Sequence, residues 1–146
     1  NNKVHGRLSC VATNVTSTQD LASSIALVDS GDLLSQRSRD LFREVMSTSR
    51  TNRMIPKGIL NGLGVYKDDI DYGLLIEGYM VYNKTGDIGI AYSDAGLIQM
   101  PNNTRAVASF IVEGPFNDPR SPDLIRAMAS EMVPFLSQKK SIEQKN

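Results

Sequence analysis

The chain has 146 residues, which is enough for one domain with a modest hydrophobic core. Its 16 basic and 16 acidic residues balance, and the absence of a basic stripe argues against a nucleic-acid partner. No apolar stretch reaches the roughly 20 residues that a membrane-spanning helix needs, so we expect no membrane span.

Cysteine and histidine are scarce, and this limits the chemistry that we expect. Cys10 is the single cysteine, which excludes an internal disulfide framework and favours a buried structural thiol. With His5 as the single histidine, the chain has too few ligands for a zinc site. It begins Asn1-Asn2-Lys3, without a starting methionine or an apolar signal segment, so we expect a processed or excised piece.

Two amphipathic helices are predicted in the first third of the chain. Capping residues at 14–18 open the first helix and Gly31 ends it, while Ser35 caps the second. The residues predicted to face the core are Leu21, Ile25 and Val28 in the first helix and Leu41, Phe42, Val45 and Met46 in the second.

Residues 51–78 are predicted to form a loop region. A short helical turn at 51–55 would end at Pro56, and the region has room for one short strand at 74–76. The acidic residues Asp68, Asp69 and Asp71 lack the twelve-residue calcium-loop pattern with its terminal Glu, so we interpret them as a solvated turn.

Three apolar runs then predict a three-strand antiparallel meander over residues 79–113. The strands are expected at 79–84, 89–99 and 105–113. The first two are joined through Asp87-Ile88-Gly89, and the turn residues 101–104 separate the second from the third. Sequential strands with such short connections pair antiparallel.

The last predicted element is a helix over residues 121–136. Ser121-Pro122-Asp123 is a favourable helix start, and Pro134 is expected to kink or end the helix. Together the elements predict an α+β fold in which the antiparallel sheet packs with helices. Such a sheet needs a further layer to cover its faces, so we expect part of the fold to lie outside this chain.

Lys84-Thr85-Gly86 closes the first strand and is the most informative motif of the chain. Lysine supplies a fixed positive charge, threonine a donor, and glycine lets a ligand approach the backbone without a Cβ. Such an edge suits a carboxylate. Alone the triplet is a weak signal, because a turn after a strand, with the lysine extended into solvent, has the same composition.

Several stretches around the triplet follow one familiar pattern. They are residues 16–22, 31–35 with Ser38-Arg39, 53–59, 81–89 and 92–98, followed by a strand at 106–112 and the helix after Ser121. In this order they resemble class A β-lactamases and their esterase- and carboxypeptidase-like relatives, in which a Lys-Thr-Gly strand is one of three diagnostic elements. The resemblance covers residues 14–136 and implies part of a β-lactamase/transpeptidase-like fold.

The resemblance implies roles for the matched residues. Lys84 would place positive charge near the substrate carboxylate and near the proton-relay serine, and Thr85 would donate a hydrogen bond to that carboxylate. Gly86, which has no Cβ, would let the substrate approach the strand backbone, and Asp87 would contribute its backbone N–H to the oxyanion hole. The acidic side chain of Asp87 departs from the small residue that many members carry, and it would repel an anionic substrate. No metal or organic cofactor is implied.

The other two diagnostic elements are missing. The one Ser-x-x-Lys match, Ser137 to Lys140, lies in a polar tail and is interpreted as coincidence. Ser93-Asp94-Ala95 falls in a strand and does not complete a Ser-Asp-Asn loop, and no Glu precedes Asn14 where the omega-loop base would lie. We therefore interpret residues 1–146 as the C-terminal portion of such an enzyme, with helices at 13–50 after the omega loop, and expect this chain alone to be inactive.

The resemblance also implies partners and a compartment. The expected partners are the missing N-terminal portion of the same protein and a small β-lactam or peptidoglycan-like substrate, and an open sheet edge would also allow a strand-exchanged homodimer. We expect an exported protein of the periplasm or cell envelope. Two alternatives remain open: a non-catalytic binding module with a degenerate lactamase-like fold, and an esterase or DD-peptidase relative.

Overall fold

The computed structural model describes residues 16–31, 33–48, 53–66 and 78–138. Within them the elements are α1 (Thr18–Ser30), α2 (Gln36–Ser47), α3 (Ile55–Gly62), β1 (Met80–Asp87), β2 (Ala91–Gln99), β3 (Arg105–Glu113) and α4 (Arg120–Gln138). The prediction of an α+β fold with a three-strand antiparallel sheet is confirmed.

Local capping explains where the first two helices begin and end. The Ser17 side chain accepts a hydrogen bond from the Asp20 N–H, and the Asp20 carboxylate accepts one from the Ser17 N–H in return. Gly31 ends α1 in the left-handed region at φ 102°. The Ser35 hydroxyl accepts from the Ser38 N–H at the start of α2, as predicted.

The sheet has the strand order β1-β2-β3, so β2 is central among the described residues. Lys84 pairs with Ala95, and Ala95 pairs in turn with Ser109. The predicted turn at 101–104 is confirmed, with the Met100 N–H donating to the Thr104 carbonyl at 2.9 Å.

Two helical layers enclose this sheet. Helices α3 and α4 pack on one face, and α1 and α2 on the other. The core lies on the α3–α4 side, where its buried members are Ile55, Ile59, Tyr79, Val81, Ile98, Met100, Ala108, Ala129 and Val133. Among the described helices, none is long and apolar enough to cross a membrane.

Two glycines allow α3 to lie very close to α4. A Cβ built on Gly58 would come within 2.5 Å of the Arg126 carbonyl oxygen and of the Ala129 Cβ. A Cβ on Gly62 would come within 2.6 Å of the Ser130 carbonyl oxygen. The helix-weakening cost of glycine is therefore offset by close packing of two backbones.

Helix α3 corrects part of the predicted loop region 51–78. Pro56 stands in the first turn of the helix, so it begins α3 and does not end a preceding turn. The first turn tolerates proline because its missing N–H would have no helical partner there. The predicted strand at 74–76, the acidic trio from Asp68, His5 and Cys10 lie outside the described residues.

Two further details of the helices differ from the predictions. Of the two expectations for Pro134, that it ends the helix is wrong, because α4 continues to Gln138. In α2, Leu41 and Val45 are 57% and 61% exposed, although their spacing predicted burial. Phe42 and Met46 are half-buried against the sheet. Only part of the apolar face of α2 therefore contacts the sheet.

Candidate functional site

The Lys-Thr-Gly stretch forms the outer edge of the described sheet. On an antiparallel strand, successive N–H groups point alternately toward the partner strand and away from it. The Ile88 N–H donates to the Ala91 carbonyl at 3.1 Å, which closes the β1–β2 turn. The alternation therefore directs the Asp87 N–H away from β2, toward the outer edge of the described sheet.

A groove of about 250 Å³ lies beside this edge, between the sheet and the first two helices. Lys84, Thr85 and Gly86 of β1 line one side together with Ser93 and Ala95 of β2. The opposite side consists mainly of apolar side chains from α1 and α2: Leu21, Ile25, Phe42 and Met46, with Ser24. An apolar trough with a cation at its rim can hold an organic anion.

Lys84 is exposed, and its ammonium group donates to the carbonyl oxygen of Thr85. Gly86 stands directly opposite Ser93, and a Cβ built on Gly86 would come within 2.6 Å of the Ser93 hydroxyl oxygen. The glycine thus keeps the strand surface flat where a ligand would meet the backbone.

Asp87 is exposed, but its carboxylate takes part in the turn that follows. Its Oδ1 accepts a hydrogen bond from the Gly89 N–H at 2.8 Å, and Gly89 has φ 81°. This local bond directs one carboxylate oxygen into the β1–β2 turn. The side chain remains a source of negative charge next to Gly86.

Asp94 is a component of the site region to which sequence reasoning gave no role. It is fully buried, lies opposite Thr85 on β2, and accepts from the Asn83 amide at 2.8 Å and from the Ile55 N–H at 2.9 Å. Burial raises the pKa of Asp94 to about 6, while the hydrogen bonds and the charge of Lys84 act in the opposite direction.

The structure thus brings Lys84, Thr85, Gly86 and Asp87 together on one strand beside the groove. In the Ser-x-x-Lys match of the tail, Ser137 is the penultimate residue of α4, and Lys140 lies outside the described residues. Within the described ranges, no group of three His, Cys, Asp or Glu residues could hold a metal ion.

Comparison with known proteins gives the family. The model of the Beta-lactamase enzyme family matches residues 3–136, so the chain belongs to that family. The β-lactamase-like family suggested by the Lys84 motif is thereby confirmed. No curated protein is similar enough to the chain to count as a match.

Solved structures agree with this assignment. The structure of PBP-A is 36% identical, covers 86% of this chain and superposes with a TM-score of 0.71. A PBP-A mutant described as an acyl-enzyme complex with penicillin G gives the same values. A β-lactamase from Burkholderia vietnamiensis, 15% identical over 85% of the chain with a TM-score of 0.66, shares the fold. The chain spans 42% of the length of PBP-A and 41% of that β-lactamase.

Proposed function

We propose that this chain is part of a serine acyl-transfer enzyme acting on a β-lactam or a related peptidoglycan-like amide. Its part is the wall that binds the substrate carboxylate and the oxyanion. The observation that carries the proposal is the placement of Lys84, Thr85 and Gly86 at the rim of the groove, next to the edge-directed N–H of Asp87. The similarity to PBP-A, whose mutant forms an acyl-enzyme with penicillin G, supports this substrate class.

Each residue has a distinct role in this proposal. The Lys84 ammonium attracts the substrate carboxylate, and the Thr85 hydroxyl donates a hydrogen bond to it. The Asp87 N–H donates to the carbonyl oxygen as negative charge develops there during nucleophilic attack. None of these groups attacks the carbonyl carbon, so they orient the substrate and stabilise charge.

The nucleophile and its base belong, in this proposal, to a portion of the protein beyond these residues. A serine there would attack the carbonyl carbon, the amide C–N bond would break, and the leaving nitrogen would take a proton. The chain spans less than half of the length of PBP-A. In addition, α2 exposes the apolar side chains of Leu41 and Val45, which a second portion of the protein would cover. Both facts support a second portion packed against α1 and α2.

The compartment and assembly are also proposals. Because β-lactams and peptidoglycan act outside the cytoplasmic membrane, we propose an exported protein of the periplasm or cell envelope. Because β1 is an outer strand among the described residues, we propose that its edge pairs with another strand, either from the rest of the protein or from a second copy by strand exchange.

A second candidate is a non-catalytic binding module that keeps the lactamase-like sheet. The exposed carboxylate of Asp87 favours it, because negative charge beside Gly86 opposes an anionic substrate. An esterase or DD-peptidase relative would share the fold and differ in substrate. The test uses the longer protein, which includes the proposed second portion, and compares its turnover of nitrocefin with its turnover of a simple ester. This comparison separates the two activities, and a binding module shows neither.

The test of the carboxylate wall compares benzylpenicillin with its methyl ester, which keeps the lactam but loses the negative charge. The longer protein should be acylated faster by the free acid, by about ten- to hundredfold for a charge-assisted hydrogen bond. Lys84→Ala should remove this preference, whereas Arg37→Ala, on an exposed position of α2, should keep it. An unchanged preference in Lys84→Ala would refute the proposed role.

A further inference from the structure

Asp94 is an unusual residue for the centre of a sheet. It is 0% exposed and lies on the face of β2 that packs against α3 and α4. A buried carboxylate lowers stability unless donors surround it, and an apolar or amide side chain would fill the position at less cost. Its presence in the middle of a buried strand therefore calls for a role.

Two donors converge on this carboxylate from two other elements. The Asn83 amide reaches it from β1 at 2.8 Å, and the Ile55 N–H from the start of α3 at 2.9 Å. Met54 provides no side-chain cap for α3, so the Asp94 carboxylate takes that place from another element. One side chain thus connects the edge strand, the central strand and a helix.

The hydrogen bond from Asn83 connects Asp94 to the residue immediately before Lys84 on β1. Alternation along β1 puts Asn83 on the core side with Val81 and turns Lys84 to the groove side. Fixing the Asn83 side chain therefore fixes where the Lys84 side chain leaves the sheet. Asp94 does not touch the groove and acts through its neighbours.

We propose that Asp94 is a positioning residue for Lys84, which it holds through Asn83 on β1 and through the Ile55 N–H at the start of α3. This inference rests on the proposed function, because it concerns the lysine that is assigned there to the substrate carboxylate. It adds Asp94, a residue on β2 outside the Lys-Thr-Gly strand, whose protonation state determines how well β1 positions the Lys84 ammonium group.

The positioning depends on the ionised carboxylate. Both hydrogen-bond partners, Asn83 and Ile55, are donors, so a proton on Asp94 would remove acceptor capacity that they use. Burial raises its pKa to about 6, which brings this change near neutral pH. The charged residues on the elements packed around it are Lys84 and Asp87 on β1, Arg105 and Glu113 on β3, Lys57 on α3, and Arg120, Asp123, Arg126 and Glu131 on α4. The charge of Lys84 lowers the pKa of Asp94.

Asp94→Asn tests the connection with little change in shape. An asparagine side chain has one oxygen where aspartate has two, so it cannot accept from both Asn83 and Ile55 through separate oxygens, and one hydrogen bond is lost. Combining Asp94→Asn with Asn83→Asp restores both bonds. In the double variant the amide oxygen at position 94 accepts from Ile55, and the NH₂ group at that position donates to the carboxylate introduced at position 83. Asp123→Asn, whose carboxylate is 60% exposed on α4, is the matched control.

The first measurement uses amide hydrogen exchange of the 146-residue chain above pH 6, corrected for intrinsic rates. Asp94→Asn should lower the protection of the Ile55, Lys84 and Gly86 amides by about tenfold, as expected for a lost buried hydrogen bond. Amides that join β2 to β3 should keep their protection. The double variant, Asp94→Asn with Asn83→Asp, should restore the protection of the Ile55, Lys84 and Gly86 amides. Unchanged protection at Ile55 and Lys84, or an equal loss throughout the sheet, would overturn the inference.

The second measurement is the pH profile of acylation by benzylpenicillin in the longer protein. The acylation rate of the wild type should fall as the pH is lowered through about 6, which gives the profile an acid limb. Asp94→Asn should be acylated more slowly than the wild type above this pH, and its profile should lack the acid limb. The same limb in Asp94→Asn, or an equal loss of rate at every pH, would overturn the positioning role. If no form is acylated, the proposed function fails and the exchange measurement alone decides the inference.

Discussion

Gly96 lies directly across from Asn83 in the β1–β2 ladder, and this pair sets how closely the edge strand approaches the central one. A Cβ on Gly96 would come within 2.6 Å of the Tyr82 carbonyl oxygen and within 2.9 Å of the Asn83 Cα. These are backbone atoms of β1 that cannot rotate away. The glycine therefore permits the strand position from which Lys84 projects.

Gly96→Ala should destabilise the protein by about 1–3 kcal/mol, because the added methyl group forces β1 and β2 apart. Urea unfolding of the chain measures the change in the free energy of unfolding. Gln99→Ala, near the end of the same strand, is the control and should change it by less than about 0.5 kcal/mol. Equal stability of Gly96→Ala and the wild type would contradict the close approach.

Gly58→Ala tests the packing of α3 on α4. Helix propensity alone favours alanine by about 1 kcal/mol, but the new Cβ would meet the Arg126 carbonyl at 2.5 Å. We expect a net loss of about 1–3 kcal/mol in the free energy of unfolding. Asn61→Ala, on the same helix, should leave stability within about 0.5 kcal/mol of the wild type. A stabilised Gly58→Ala protein would show that the two helices are further apart.

The carboxylate of Asp29 joins α1 to both α2 and β3. It pairs with Arg43, and with Arg105 at 2.8 Å, while its side chain is only 12% exposed. Asp29→Ala should cost about 1–3 kcal/mol, because it leaves two guanidinium groups without this partner. Thermal unfolding at low and high salt gives the measurement, with a smaller effect at high salt.

Asp40→Ala provides a matched comparison for that prediction. Asp40 also contacts Arg43, but at 3.6 Å and with a side chain that is 59% exposed. Exposed pairs of this kind contribute about 0–1 kcal/mol. Equal effects of Asp29→Ala and Asp40→Ala would show that the Asp29 network does not hold the three elements together.

The pKa of Asp94 predicts how stability depends on pH. Burial raises this pKa from 3.8 to about 6, so the folded protein holds the proton more tightly than the unfolded chain. The contribution of Asp94 to stability is therefore fully present below pH 3.8 and is lost as the pH rises to about 6. The loss amounts to about 3 kcal/mol at most.

Urea unfolding between these pH values measures this effect as a difference between variants. The difference in the free energy of unfolding between wild type and Asp94→Asn should change across this range, since asparagine does not titrate. Asp123→Asn should follow the wild-type curve at these pH values. Parallel curves for wild type and Asp94→Asn would show that the Asp94 proton is not coupled to folding.

Features that depend on local chemistry could be predicted from the sequence. The Ser17 cap with Asp20, the left-handed Gly31 and the turn before Thr104 each follow from a few neighbouring residues. The three apolar runs gave the strands because buried strands share a simple pattern. The position of Lys84 at the end of the first predicted strand followed from the same pattern.

Features that depend on distant packing could not be predicted. Helix α3 has two glycines and an early proline, which weaken it locally, and its stability comes from contact with α4. The spacing of Leu41 and Val45 shows an apolar face but not what covers it. A carboxylate within the apolar run of β2 was a sequence signal for Asp94, but its two donors, Asn83 and Ile55, come from two other elements.

Intact-mass analysis after exposure to benzylpenicillin tests the central claim most directly. The 146-residue chain is compared with the longer protein that carries the proposed second portion. We predict no penicilloyl adduct on the chain and one adduct on the longer protein, at a serine outside these residues, with slower formation in Lys84→Ala. An adduct on a serine within the 146 residues would contradict the assignment of this chain as the wall of the site.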